Sequence, residues 1–143
     1  MPDGPAPAQL PFRTCEALRF RDMDPLGHVN NSIYATLFEQ NRVEFQSQPG
    51  GFREAAGQTV VLATMTIDFL REMHWPGTVE IGLGVGRLGT SSFDIEQEIS
   101  RDGALIARGR CTQVLIDSAQ RRPVPLSSEQ RLRLSRWMAC RKV

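Results

Sequence analysis

No run in this chain of 143 residues is long and apolar enough to cross a bilayer as a helix. An excess of one charge is missing too. The 17 Lys and Arg stand against 16 Asp and Glu, a net +1, which leaves no overall basic footprint for nucleic acid. Cysteine is scarce: Cys15, Cys111 and Cys140 are odd in number and far apart, a pattern that argues against a disulfide framework and a zinc site. Histidine is scarcer, with only His28 and His74. There is no Gly-x-Ser-x-Gly elbow either, so a Ser-His-Asp triad has few ways to form. A metal site from Asp22, Asp24, His28 and His74 matches no common ligand spacing. The opening MPDGPAPAQLP lacks the charged start and apolar core of a signal peptide. The cytoplasm is therefore the expected address.

What is present fits one soluble domain. The composition is 41% apolar and 23% charged, within the globular range. Residues 1–12, rich in Pro and Ala, read as a mobile tail, and 13–143 as a single domain with a real core. The basic C-terminal stretch (Arg121, Arg122, Arg131, Arg133, Arg136, Arg141, Lys142) reads as solvated surface.

The order of elements follows from periodicity. Thr14 to Phe20 reads as a short strand. From Asn31 to Gln46 the spacing is helical: Ile33, Tyr34, Leu37, Phe38 and Phe45 share an arc of about 140 degrees at 100 degrees per residue. Asn41 intrudes near its middle, and Pro49-Gly50-Gly51 ends it. Thr59 to Leu70 is rich in Val, Thr and Ile. Val79, Ile81, Leu83 and Val85 alternate with Glu80 and glycines, and Phe93, Ile95 and Ile99 alternate with acids. Arg101-Asp102-Gly103 is a hairpin signal, Ala104 to Asp117 is a long strand, and Ser127 or Ser128 caps a last helix holding Leu132, Leu134 and Trp137. One strand, one long helix, four strands and a terminal helix make an α+β plan with an antiparallel sheet. Its second face needs cover from loops or another subunit.

Gly84-Val85-Gly86-Arg87-Leu88-Gly89 matches Gly-x-Gly-x-x-Gly, but a strand-like stretch follows it where a dinucleotide site needs a helix. Glycines 82, 84 and 86 share one strand face, so another segment approaches that backbone closely or the sheet bends there. Cys15 and Cys111 read as core residues of strands.

The stretch RDMDPLGHVNNSIYATLFEQNRVEF, from Arg21 to Phe45, carries the chemistry. Asp24-Pro25 starts a turn, Gly27 permits a positive φ, and Asn30 or Asn31 caps the helix. A capping role does not account for Asp22, Asp24, His28 and two asparagines in one place. A helix N-terminus presents free N–H groups and partial positive charge. Those donors polarise a carbonyl or hold an oxyanion, and a carboxylate opposite them acts as nucleophile or general base.

These residues resemble the signature of the 4-hydroxybenzoyl-CoA thioesterase-like branch of the hotdog-fold thioesterases. That signature is Asp-x-Asp-x-x-Gly-His-Val-Asn-Asn-x-x-Tyr, continuing to a Glu and an Arg on the helix. WPGTVEIGLGVGRLGTSSFDIEQEI resembles the family's central hairpin and DSAQRRPVPLS its ending. The resemblance implies a long helix wrapped by a curved antiparallel sheet, in a homodimer or homotetramer with active sites between subunits. It implies hydrolysis of a thioester of coenzyme A or acyl carrier protein, without cofactor or metal. Asp24 matches the catalytic carboxylate and the Asn31 N–H the donor to the thioester carbonyl. His28 matches a residue near the reacting group. Gly27, Tyr34, Glu39, Ser91 and Ser92 fall around the substrate, with Tyr34 also a packing residue. Glu39 and Arg42 match the helix acid and base and stand three apart, a spacing at which they can pair. Some relatives carry a basic cluster before the Ser-Phe of the third sheet strand, where this chain offers only Arg87. Two alternatives stay open: a non-catalytic acyl-CoA-binding module of the same fold, and a dehydratase.

Overall fold

In the computed structural model, which describes residues 7–139, the chain forms β1 (Phe12–Ala17), a single 3-10 turn (Phe20–Asp22) and α1 (Asn31–Ser47). There follow β2 (Gln58–Phe69), β3 (Thr78–Leu88), β4 (Ser92–Arg101), β5 (Ala104–Asp117) and α2 (Ser128–Ser135). The order is the one expected. β1 starts two residues earlier than the sequence suggested and stops at Ala17, because Leu18 N–H turns away to Gly77 O (2.8 Å). Phe20 then opens the 3-10 turn. Cys140, the third cysteine, lies outside the described residues.

The five strands form one antiparallel sheet in the order β1-β3-β4-β5-β2. β3, β4 and β5 follow one another as hairpins. The β4–β5 turn has Asp102 at φ 51° and Gly103 at φ 79°, the left-handed pair that matches strand twist in a two-residue turn. β2 crosses over to pair with β5, from Gln58 opposite Asp117 to Phe69 opposite Ala107, and leaves its other edge free.

α1 lies on one face of the sheet. Its apolar arc buries Tyr34, Leu37, Phe38 and Phe45. Two apolar clusters result. One gathers Tyr34, Leu37 and Phe38 with Val79, Ile81 and Ile99, and the other gathers Phe45 with Leu83, Phe93, Leu115 and Leu134. Asn41 sits between them as part of a buried polar belt. Its Nδ2 donates to Thr14 Oγ1 (2.8 Å) and Ile81 O (3.2 Å). Gln97 Nε2 donates to Asn41 Oδ1 (2.7 Å) and Phe38 O (2.9 Å), while Gln97 Oε1 accepts from Arg42 Nη1 (3.1 Å). Arg42 therefore turns inward to Gln97, away from Glu39.

The glycines of β3 meet two straps. A Cβ at Gly84 would lie 3.0 Å from Ala139 and 3.2 Å from Leu10, and one at Gly82 3.2 Å from Leu10. Backbone bonds tie the C-terminal strap down: Val85 N–H to Trp137 O (2.7 Å) and Ala139 N–H to Val85 O (2.8 Å). In α2, capped by Ser127, Leu134 is buried and Leu132 exposed. Trp137 follows the helix and donates from Nε1 to Gly50 O (2.9 Å).

At Gly109 the helix packs closely on the sheet: a Cβ there would sit 2.9 Å from the Phe38 ring. Phe38 is packed on all sides, so it has nowhere to retreat. Gly109→Ala is expected to destabilise by about 1–3 kcal/mol. A lower denaturant midpoint at unchanged slope is the readout.

Candidate active site

Residues 23–29 form a small closed loop ahead of α1. Met23 and Val29 pair across its neck, Asp24 N–H donates to His28 O (2.8 Å), and Gly27 N–H donates to Asp24 O (3.1 Å). Gly27 has φ 89°, a conformation in which a side chain would be strained.

The two aspartates divide the work. Asp22 is buried, and both its oxygens are engaged by Arg19: Oδ2 accepts from the backbone N–H (2.9 Å) and Oδ1 from Nη2 (3.3 Å). Asp24 Oδ1 accepts the N–H groups of Leu26 (2.9 Å) and His28 (3.4 Å). No hydrogen bond reaches its Oδ2 from the described residues.

Asn30 is the helix cap. Its Oδ1 accepts from Ser32 N–H and Ser32 Oγ, both at 2.9 Å. Its backbone N–H donates to Asp22 O (2.9 Å) and its carbonyl accepts from Ile33 N–H (2.9 Å). Asn31, the first helical residue, is left with an N–H that has no acceptor among the described residues. It is a donor at the positive end of the helix.

That end opens on a cavity of about 180 Å³ lined by His28, Val29, Asn31, Tyr34, Phe69, Leu70, Arg71 and Glu72. A larger one, about 770 Å³, lies on the outer sheet face beside Leu10, Glu98 and Arg108. The smaller cavity is the one with a free helix donor. The Tyr34 ring packs edge-on to Phe69 with centroids 4.9 Å apart, and its hydroxyl donates to Arg71 O (3.4 Å). Burial pushes the phenol up from its ordinary value of 10.0, and nearby Glu72 adds to the rise against a backbone hydrogen bond at Met73. The stabilisation from the neutral phenol is complete below that value and is lost only as the pH climbs through the raised one. Tyr34 therefore remains a neutral donor at ordinary pH.

Sequence reasoning missed Glu72 and passed over His74 except as a metal ligand. Glu72 stands between the two histidines, at 3.6 Å from His28 Nε2 and 3.7 Å from His74 Nε2. The rings lie edge to face at 5.9 Å. His74 Nδ1 is 2.9 Å from Gly27 O, and Arg101 braces the segment through His74 O (2.8 Å) and Pro76 O (2.6 Å). The one signal available in the sequence was the rarity of histidine, since the chain's only two meet here. Among the described residues no group of three or more His, Cys, Asp or Glu side chains is arranged to hold a metal ion.

Other expected site residues fall elsewhere in the single subunit. Glu39 is exposed on the helix. Ser92 pairs with Val114, seven residues along β5 from Ala107, which faces Phe69 of the cavity. Ser91 and Ser92 thus lie roughly 23 Å along the sheet from it. At their turn Arg87 is 3.5 Å from Asp94. Arg131, a second cation that the sequence did not place there, donates to Gly89 O (2.8 Å).

A long helix laid on one face of an antiparallel sheet of this order is the hotdog fold, the architecture of known thioester hydrolases. The PA5185 protein of Pseudomonas aeruginosa strain PAO1 is 26% identical with a TM-score of 0.85, the match covering 96% of this chain and 100% of that one. The PA2801 protein of Pseudomonas aeruginosa is 31% identical, with a TM-score of 0.78 over 87% of this chain and 98% of that one. A thioesterase of Thermus thermophilus, complexed with coenzyme A and Zn, is 29% identical, with a TM-score of 0.78 over 92% and 98%. Among curated proteins none matches by sequence. The chain belongs to the thioesterase-like superfamily, whose model matches residues 18–134.

The cap is open to direct test. Asn30→Ala removes the acceptor for Ser32 and is expected to cost about 1 kcal/mol. Asn30→Asp keeps that acceptor and adds a charge favourable to the helix dipole, so its melting temperature should equal or exceed the wild-type value.

Proposed function

We propose that the protein hydrolyses acyl-CoA thioesters by holding the thioester carbonyl on the Asn31 N–H while the Asp24 carboxylate drives the attack. The observation that carries this reading is the unfilled Asn31 donor, open to a cavity at the end of a loop whose aspartate keeps one oxygen free. As the acyl carbon becomes tetrahedral, charge gathers on its oxygen, and a fixed N–H at a helix N-terminus stabilises that charge. Asp24 Oδ2 either takes a proton from water as the water oxygen bonds to the acyl carbon, or bonds that carbon itself and is released by water afterwards. In both routes the C–S bond breaks, the sulfur leaves with a proton as the free thiol, and the acid is the other product. His28 borders the reacting group, with Gly27 shaping the loop and Tyr34 and Phe69 supplying the apolar wall. A thioester on acyl carrier protein would undergo the same chemistry.

The cavity is small for an acyl group with its carrier, and a second subunit would enlarge it. The free edge of β2 carries half-exposed Leu62 and Phe69. Antiparallel pairing of β2 with a second copy would reverse one sheet against the other. The Ser91-Ser92 turn of one subunit would then approach the partner's Phe69 end and its cavity. Light scattering that finds only a 16.0 kDa particle at micromolar concentration would remove the partner from the site.

Asp24→Asn keeps the shape and removes the charge. The expected outcome is a kcat lower by roughly two or more orders of magnitude with KM little changed. Asp22→Asn, whose oxygens hold Arg19, should lower the melting temperature more than kcat. Near-full turnover in Asp24→Asn would reduce that residue to a turn former.

Both cations at the Gly89 turn already have protein partners, Arg87 with Asp94 and Arg131 with Gly89 O. The 3′-phosphate of coenzyme A should therefore add little affinity. Removing it should raise KM by less than tenfold, which is about 1.4 kcal/mol. A larger rise would reveal a phosphate grip elsewhere.

A further inference from the structure

The tip of the site loop, residues 25–27, lies at the surface. The bonds within the loop return to Asp24: Leu26 N–H and His28 N–H donate to its Oδ1, and Gly27 N–H donates to its carbonyl. Among the described residues, one hydrogen bond reaches the tip from outside the loop. His74 Nδ1 stands 2.9 Å from Gly27 O. A carbonyl oxygen only accepts, so Nδ1 carries the hydrogen and donates it.

The carbonyl of Gly27 and the N–H of His28 belong to one peptide unit. That unit is planar and stiff, with His74 on its oxygen and Asp24 Oδ1 on its N–H (3.4 Å). A donor on the oxygen polarises the unit and makes its N–H a stronger donor in turn. The His74 bond therefore fixes the plane of the peptide and tightens its hold on Asp24 Oδ1, which leaves Oδ2 for a substrate. His74 is itself held from behind. Arg101 donates to His74 O (2.8 Å) and Pro76 O (2.6 Å) and so fixes the backbone that carries the ring. Glu72 Oε2 lies 3.7 Å from His74 Nε2, and Glu72 Oε1 lies 3.6 Å from His28 Nε2. One carboxylate thus stands beside both rings, and Nδ1 is the nitrogen of His74 turned to the loop.

We propose that His74 is a positioning residue for the Asp24 carboxylate, acting through the Gly27–His28 peptide, with Arg101 and Glu72 keeping its ring in place. The inference rests on the reading of Asp24 as the attacking carboxylate or base. It adds to that reading the contact from outside the loop that aims the carboxylate.

Two substitutions separate donation from bulk. His74→Leu removes the donor, whereas His74→Asn keeps one, since its amide Nδ2 can stand where Nδ1 stood. The side chain is exposed, so both variants should melt near the wild-type temperature. In His74→Leu kcat should fall roughly tenfold or more, in line with the cost of misplacing a reacting group by about 1 Å. KM should change by less than about threefold, and His74→Asn should bring kcat back to within about threefold of wild type. In an Asp24→Asn background His74→Leu should cost nothing further, because it acts through the group already removed. Amide-proton NMR supplies a readout independent of turnover. The His28 amide resonance should move upfield in His74→Leu and return in His74→Asn, as its peptide loses and regains the donor. An unmoved resonance, a wild-type kcat in His74→Leu, a His74→Asn no better than His74→Leu, or a full further loss in the Asp24→Asn background overturns the inference; if Asp24→Asn alone is disabled, the thioester reading still stands. Near-full turnover in Asp24→Asn overturns that reading and the role of His74 with it.

Discussion

The Gln97 carboxamide holds the rest of the structure in register. It is 1% exposed, and it reaches across from β4 to the helix with both ends. Its nitrogen donates to a helix carbonyl and to Asn41, and its oxygen accepts from Arg42. Apolar packing alone tolerates a helix that slides or rolls by a fraction of a turn, because it is not directional. Three directional bonds to one side chain do not, since a small roll would strand buried donors and acceptors at once. Asn41 adds a second anchor through Thr14 and Ile81. With the helix so placed, the Asn31 N–H falls at the Phe69 end of the sheet, and the candidate site inherits its position from a polar belt about ten residues away along α1.

Much of this plan was legible in the residues. The periodicity of α1 gave its bounds nearly to the residue, and Arg101-Asp102-Gly103 marked its hairpin, because both depend on neighbours in sequence. The glycines of β3 announced a close approach, and Leu10 and Ala139 make it. Asn41 looked like a polar interruption because its partners, Thr14, Ile81 and Gln97, come from three different strands. For the same reason the crossing of β2 to β5 and the meeting of Glu72 with two histidines could not be seen. The helical spacing of Glu39 and Arg42 permits a pair, but Arg42 stands on the sheet-facing side of the arc and finds Gln97 first. Local pattern describes elements well; it is silent where an interaction joins segments that only the fold brings together.

The loop shows how two residues of one type, two positions apart, are held differently. Asp22 spends both oxygens on Arg19 and offers its carbonyl to Asn30, so it joins the loop to the helix. Asp24 spends one oxygen on the loop and keeps the other. Asn30 caps the helix by accepting from Ser32, and the Asn31 N–H has no acceptor among the described residues. A pair of adjacent asparagines thus separates the role of closing the helix from that of presenting a donor.

The two straps over β3 tie the fold to the order in which the chain is made. Leu10 leaves the ribosome before any strand exists, whereas Trp137 and Ala139 emerge only after the whole sheet has been synthesised. Until then the backbone of Val85 lacks the partners that Trp137 and Ala139 supply, and the glycine face beside it stays half open. The last described residues therefore act as a seal applied after assembly. Without them the stretch of β3 beyond the end of β1 has an N–H donor and a C=O acceptor unmet at Val85.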